Sequence, residues 1–162
     1  MKILNYTLGI LTAALILTAC AASKQGRNMK DSIDGSWTLQ TVNTEGINAK
    51  FKAQVFNEAD LNCFVGSSWD FKAGNSLGNY KLTGGTQGCS TTQRNFRWSI
   101  FEPKDAPKEF QFKRLDDKLK PMDDNNGFRL NVTMLEGGNM QLKSAITFEG
   151  KPGNIVYNFV KK

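Results

Sequence analysis

From Trp37 to the C-terminus, apolar and polar side chains alternate with a period of two. Trp37, Leu39 and Thr41 share one parity, as do Val65, Trp69 and Phe71, and then Tyr80 and Leu82. Phe96, Trp98 and Ile100 alternate with Arg97 and Ser99, and Phe110 and Phe112 alternate with Gln111 and Lys113. Longer runs follow in Phe128, Leu130, Val132 and Met134, and in Met140, Leu142, Ser144, Ile146 and Phe148; a last one carries Ile155, Tyr157 and Phe159. Alternation of this kind marks strands with one buried face, and it predicts about eight of them. Only residues 49–61 are ambiguous, fitting either an extra strand around 51–56 or one helical turn around 57–61.

Short stretches with turn chemistry separate the runs: Gly74-Asn75, Gly84-Gly85, Asn126-Gly127, Gly137-Gly138 and Pro152-Gly153. Glycine and asparagine tolerate the positive φ that tight hairpins require. Consecutive hairpins predict an all-β fold, an antiparallel up-and-down sheet, and closing that sheet into a barrel removes its exposed edges. A Greek-key sandwich needs longer crossings, for which only 102–109 and 116–126 have the length.

Ahead of the alternating region, Lys2 precedes an apolar run over 8–17 that ends near Cys20. The run has the length of a signal h-region, roughly 7–15 residues, and falls short of the ~20 that span a bilayer. Leu17-Thr18-Ala19-Cys20 resembles the bacterial lipobox. That resemblance implies a lipoprotein signal peptide over 1–19 and lipidation of Cys20 on its sulfur and its new N-terminus. Two or more acyl chains hold a protein stably on a membrane without a spanning helix. Residues 20–32 are small and charged and are expected to form a flexible tether, leaving 33–162 as the folded domain. Ala21 is not the aspartate that resembles an inner-membrane retention signal, and no acidic cluster follows. The expected location is therefore the outer membrane, on its periplasmic side, with the cell surface as the alternative.

The chain holds 21 Lys and Arg against 15 Asp and Glu, a net charge of +6 spread along its length. Its densest basic patch, Lys113-Arg114 with Lys118 and Lys120, is interleaved with Asp116 and Asp117 and reads as a solvated surface. No basic stripe with stacking aromatics suggests a nucleic-acid partner. The chain has no histidine, which excludes Ser–His and Cys–His pairs and imidazole metal sites. Asp116-Asp117 and Asp123-Asp124 lie in polar turn regions, where solvated carboxylates lack the burial that tunes a catalytic pKa. Asp123-Asp124-Asn125-Asn126-Gly127 misses the calcium-loop spacing and reads as a turn. No catalytic residue, cofactor or metal is expected. With Cys20 committed to lipid, Cys63 and Cys89 are an even pair outside any CxxC spacing, which in an oxidising compartment reads as a disulfide worth roughly 3 kcal/mol.

Asp34-Gly35-Ser36-Trp37-Thr38-Leu39 resembles the Gly-x-Trp opening of the lipocalin superfamily, and residues 33–162, with the tether and lipoprotein signal ahead of them, resemble bacterial lipocalin-like lipoproteins. The segment 63–80 also looks like that family's pattern of a cysteine, an aromatic strand, a glycine turn and a strand ending in tyrosine. The resemblance implies that Gly35 lets the chain enter the barrel tightly and that Trp37 plugs its closed end. Many lipocalins stack an arginine from near the last strand over that tryptophan; here Lys161-Lys162 stand in that place.

An eight-stranded barrel is either filled by its own side chains or holds one small ligand. The resemblance implies the second, with a lipophilic pocket lined by Trp69, Tyr80, Trp98, Phe110, Phe112, Phe128 and Tyr157. Each of these, taken singly, fits an ordinary core better. Phe110 and Phe112 follow the loop holding Pro103 and Pro107 and are expected near an open end. The expected function is that of a membrane-anchored, non-enzymatic protein that binds or carries a small hydrophobic ligand in the bacterial envelope. The alternative is a filled barrel whose loops bind an envelope protein or inhibit an exported enzyme.

Overall fold

The computed structural model describes residues 23–47, 53–84 and 88–162. The expected signal peptide and Cys20 lie outside the described residues, as does Phe51. Eight antiparallel strands close into a barrel, which is the all-β up-and-down fold expected from the alternation. In chain order they are β1 (Gly35–Glu45), β4 (Ser68–Lys72), β5 (Leu77–Leu82), β6 (Thr92–Phe101), β7 (Glu109–Leu115), β8 (Phe128–Glu136), β9 (Asn139–Phe148) and β10 (Lys151–Lys161). Sequence neighbours pair from β4 through β10, and β1 closes the cylinder between β10 and β4. A separate two-stranded hairpin, β2 (Gln54–Val55) with β3 (Ala59–Asp60), and a 3-10 turn over Leu61–Phe64 occupy the ambiguous stretch between β1 and β4.

A helix, α1 (Lys24–Ile33), caps one end of the barrel. This corrects the expectation of a flexible tether for the part of 20–32 that is described. Ser23 supplies the N-cap by accepting the Gly26 N–H at 3.0 Å, and Gly26, Met29 and Ile33 recur on one face. Ten residues make a marginal helix alone, so its docking onto the barrel sustains it. Ile33 is fully buried, and Gly26 packs against the Glu102 side chain of the loop that follows β6. At the same end Trp37 donates its indole N–H to the Ile33 carbonyl at 2.8 Å, and the Lys161 ammonium lies 5.4 Å from the Trp37 ring centre. Gly35 enters β1 at φ 111°, and Lys161 passes over it.

Two bulges break the simple alternation. One between Leu39 and Thr41 turns Thr41 outward and sets Val42 against the core; the other, between Val132 and Met134, exposes Met134 and packs Leu135 inward. A one-residue slip exchanges the two faces of a strand, which is why parity alone misplaces both residues. The last hairpin turns at Glu149 and Gly150, both at positive φ, while Pro152 and Gly153 lie within β10. Cys63 and Cys89 are joined in a disulfide that ties the 3-10 turn to the β5–β6 connection.

Candidate functional site

The end of the barrel opposite α1 is its mouth, and the β2–β3 hairpin closes it. Val55 accepts the Glu58 N–H at 3.0 Å, and Phe56 and Asn57 between them have φ of 53° and 51°. A two-residue turn with both positions left-handed suits glycine and asparagine, so a phenylalanine there is a strained choice. Its reward is position. The Phe56 ring enters the barrel and contacts Phe64, Phe112, Phe128 and Tyr157 at centroid distances of 5.0–5.4 Å, with Trp69 at 6.2 Å.

The hairpin is held by ion pairs as well as by its ring. Glu58 accepts from Arg94 Nε and Nη2 at 2.9 Å each, from Arg114 Nη1 at 2.6 Å and from the Tyr80 hydroxyl at 2.8 Å. Arg114 in turn donates Nε and Nη2 to the two Asp123 oxygens at 2.8 and 2.6 Å, and Asn57 Nδ2 reaches Asp123 at 3.3 Å. Burial alone would raise the Glu58 carboxyl, but hydrogen bonds from Arg94, Tyr80 and Arg114 outweigh it and bring the pKa down to about 2. Burial, then the adjacent Glu58 carboxylate, pushes the Tyr80 phenol well above its usual value. Asp123 is lowered, chiefly by its bonds from Arg114.

All seven aromatics expected to line a pocket lie in one interior cluster. Trp69 stacks on Tyr80 at 4.7 Å and meets Phe112 at 6.1 Å; Phe112 meets Phe110 and Phe128 at 5.7 and 5.2 Å; Trp98 meets Phe110 at 5.8 Å. Tyr157 joins through Phe56, and burial pushes its phenol up to about 12. Ring-to-ring contact runs from wall to wall, as Trp69 also meets Phe159 at 5.6 Å. Phe110 does not lie near the mouth: the 102–108 connection is at the helix-capped end, where Phe110 packs on Phe71 and Trp98. Phe128, half-buried, is the candidate at the mouth.

Sequence reasoning missed the residues that close the mouth. Arg114 is not part of a solvated patch; it is 5% exposed and points inward. Its signal was available, because Arg114 shares parity with Phe110 and Phe112, and Arg94 shares parity with Phe96 and Trp98. Two cations on an inward face require a buried anion. Nothing in the alternation singled out Glu58 as that anion, since it comes from outside the barrel strands. Asp123 forms the expected turn, a 3-10 turn over Asp123–Asn125, but its carboxylate faces Arg114 rather than solvent. No family model, curated protein or solved structure matches this chain.

Proposed function

We propose that the chain is a lipid-anchored, lipocalin-like envelope protein without enzymatic activity, whose barrel takes a small hydrophobic ligand in the place that Phe56 occupies in the closed form. The observation that carries this reading is the plug itself. The β2–β3 hairpin pairs only with itself, outside the barrel's hydrogen-bond ladder, yet it delivers one aromatic ring to the centre of the cylinder. Such a hairpin can withdraw without breaking a barrel strand, and it would leave a cup walled by Trp69, Phe112, Phe128 and Tyr157. Further support comes from the Gly35–Trp37 opening with Lys161 over the indole, and from the Cys63–Cys89 disulfide, which suits an oxidising envelope. The lipid anchor rests on the sequence around Cys20, and the periplasmic side of the outer membrane on the residues that follow it.

Wall-to-wall ring contact favours the second reading, a solid barrel that works through its outer surface on another envelope protein. The two separate in one titration. Fluorescent fatty acid is added to the full-length protein and to Phe56→Ala, with a thermal melt of each to verify folding. Closure of the plug taxes apparent affinity by the fraction of open molecules, so Phe56→Ala is expected to bind at least tenfold more tightly. Equal, negligible binding by both folded proteins refutes the carrier reading and leaves the solid barrel.

A further inference from the structure

A groove of about 430 Å³ runs over β6, β7 and β8, where outward side chains meet the strand segments that carry Trp98, Phe112 and Phe128. Arg97, Lys113 and Arg129 line it, with Ser76, Ser99 and Gln111 between them, and its described lining contains no carboxylate. The strand register makes this arrangement unusual. Arg97 and Lys113 are direct cross-strand partners, both facing outward, and Gln111 is the partner of Ser99 on one side and Arg129 on the other. Like charges directly opposite each other destabilise a sheet, so the pair is a cost to folding.

The partners of these cations are weak. Lys113 donates to the Asn125 side-chain oxygen at 3.0 Å, and Arg97 makes no hydrogen bond or ion pair among the described residues. Arg129 lies over the Phe101 ring at 4.1 Å and reaches Glu109 only at 4.0 Å. The guanidinium of Arg129 thus stacks on Phe101 and touches Glu109 only at the limit of ion-pair distance. Gln111 Nε2 donates to Ser99 Oγ at 2.7 Å, which orders both polar groups on the groove floor. At the rim, Lys30 of α1 donates to Ser76 at 2.7 Å and adds a further cation.

We infer that this groove is a binding site for a phosphate ester on a hydroxylated body, such as a sugar phosphate. Two guanidinium forks and an ammonium match phosphate oxygens, and an incoming dianion removes the repulsion between Arg97 and Lys113. The groove, at about 430 Å³, is larger than a bare oxyanion would fill. Ser76, Ser99 and Gln111 supply the donors and acceptors that a polyol body uses. This inference does not depend on what the interior binds or on how the chain is anchored.

The test is isothermal titration of the full-length protein with glucose 6-phosphate at low ionic strength, with glucose as the uncharged comparison. Wild type and Lys151→Gln, a distant exposed cation, are expected to bind equally, and Arg97→Gln at least tenfold more weakly. Because Arg97→Gln relieves a like-charge pair, it is expected to melt no lower than wild type, so lost binding is not lost folding. Vesicles carrying phosphorylated inositol lipid, added as competitor, distinguish a membrane headgroup from a free solute: displacement of the sugar phosphate assigns the former, and no displacement the latter. Equal binding by Arg97→Gln and wild type, or equal binding of glucose, overturns the inference.

Discussion

Replacing Glu58 by glutamine keeps the size of the side chain at the barrel mouth and removes its charge. In the wild type, four hydrogen bonds from Arg94, Arg114 and Tyr80 converge on this carboxylate, whose side chain is 10% exposed. Without the charge, Arg94 and Arg114 face each other across one remaining carboxylate, Asp123. Breaking a buried pair from one side costs about 3–5 kcal/mol. Linkage gives a similar figure: a carboxyl moved from 4.5 to about 2 on folding contributes about 3 kcal/mol at about 1.4 kcal/mol per tenfold.

The sign of the pH dependence follows from the direction of that movement. A carboxyl whose folded pKa is depressed stabilises the protein fully above its unfolded value near 4.5 and loses that contribution as pH falls towards about 2. Urea unfolding followed by tryptophan fluorescence at pH 7, 4.5, 3 and 2 (round settings, about one step per unit of the window) therefore compares wild type with Glu58→Gln. The expected gap is about 3 kcal/mol at pH 7, shrinking progressively below pH 4.5. Glu102, held low by Lys108 and Ser23, adds its own acid sensitivity to both proteins and cancels in the difference. A gap that stays constant from pH 7 to pH 2 refutes the argument, because the lost stability would then not be the charge of Glu58.

Reducing the Cys63–Cys89 disulfide, or replacing both cysteines with serine, is expected to lower stability by about 3–4 kcal/mol for its 26-residue separation, read as a lower urea midpoint. A Cβ at Gly78 would fall 2.4 Å from the Phe96 ring and 2.5 Å from the Asp70 carbonyl, so Gly78→Ala should cost about 3 kcal/mol or more, or abolish soluble expression. Lys161→Ala removes the cation over Trp37 and should cost about 0.5–1 kcal/mol, while Lys161→Arg should hold wild-type stability in the same melt.

The barrel was legible because its physical determinants are local. Hairpins joined by short turns need only alternation and turn residues, and both are written into the chain from Phe96 to Phe159. The bulges in β1 and β8 were not legible, because each adds one residue without changing composition, and only the pairing partner reveals it. The helix was missed for a different reason. Its apolar stripe is only Met29 and Ile33 beside Gly26, too thin to stand out in a polar segment, and its stability comes from a barrel end that local sequence does not display. The aromatic cluster was found residue by residue, but Phe56, the ring at its centre, sits where alternation fails.

Departures from local rules are densest at the mouth, while Ser76 and Asp105, small polar residues in turns, are the non-glycine residues that hold positive φ at the helix-capped end. Around Trp37 the conformations suit their residues: glycine holds the positive φ of 111° at the start of β1, serine caps the helix, and the indole N–H has its carbonyl. Around Phe56 a bulky residue holds a left-handed turn, two arginines and a glutamate lie within a barrel, and Asp123 and Asp124 also take positive φ. Local strain and buried charge persist only where the surroundings impose them, and such violations concentrate at functional sites. Each cost at the mouth serves the same arrangement, since Phe56 reaches the centre only because the turn is tight, and the turn stays down only because Glu58 finds both arginines. Replacing such a buried network with well-packed apolar side chains is often neutral or stabilising, so the network adds position more than stability. It holds the β2–β3 hairpin over the mouth at neutral pH by charge rather than by pairing with a barrel strand.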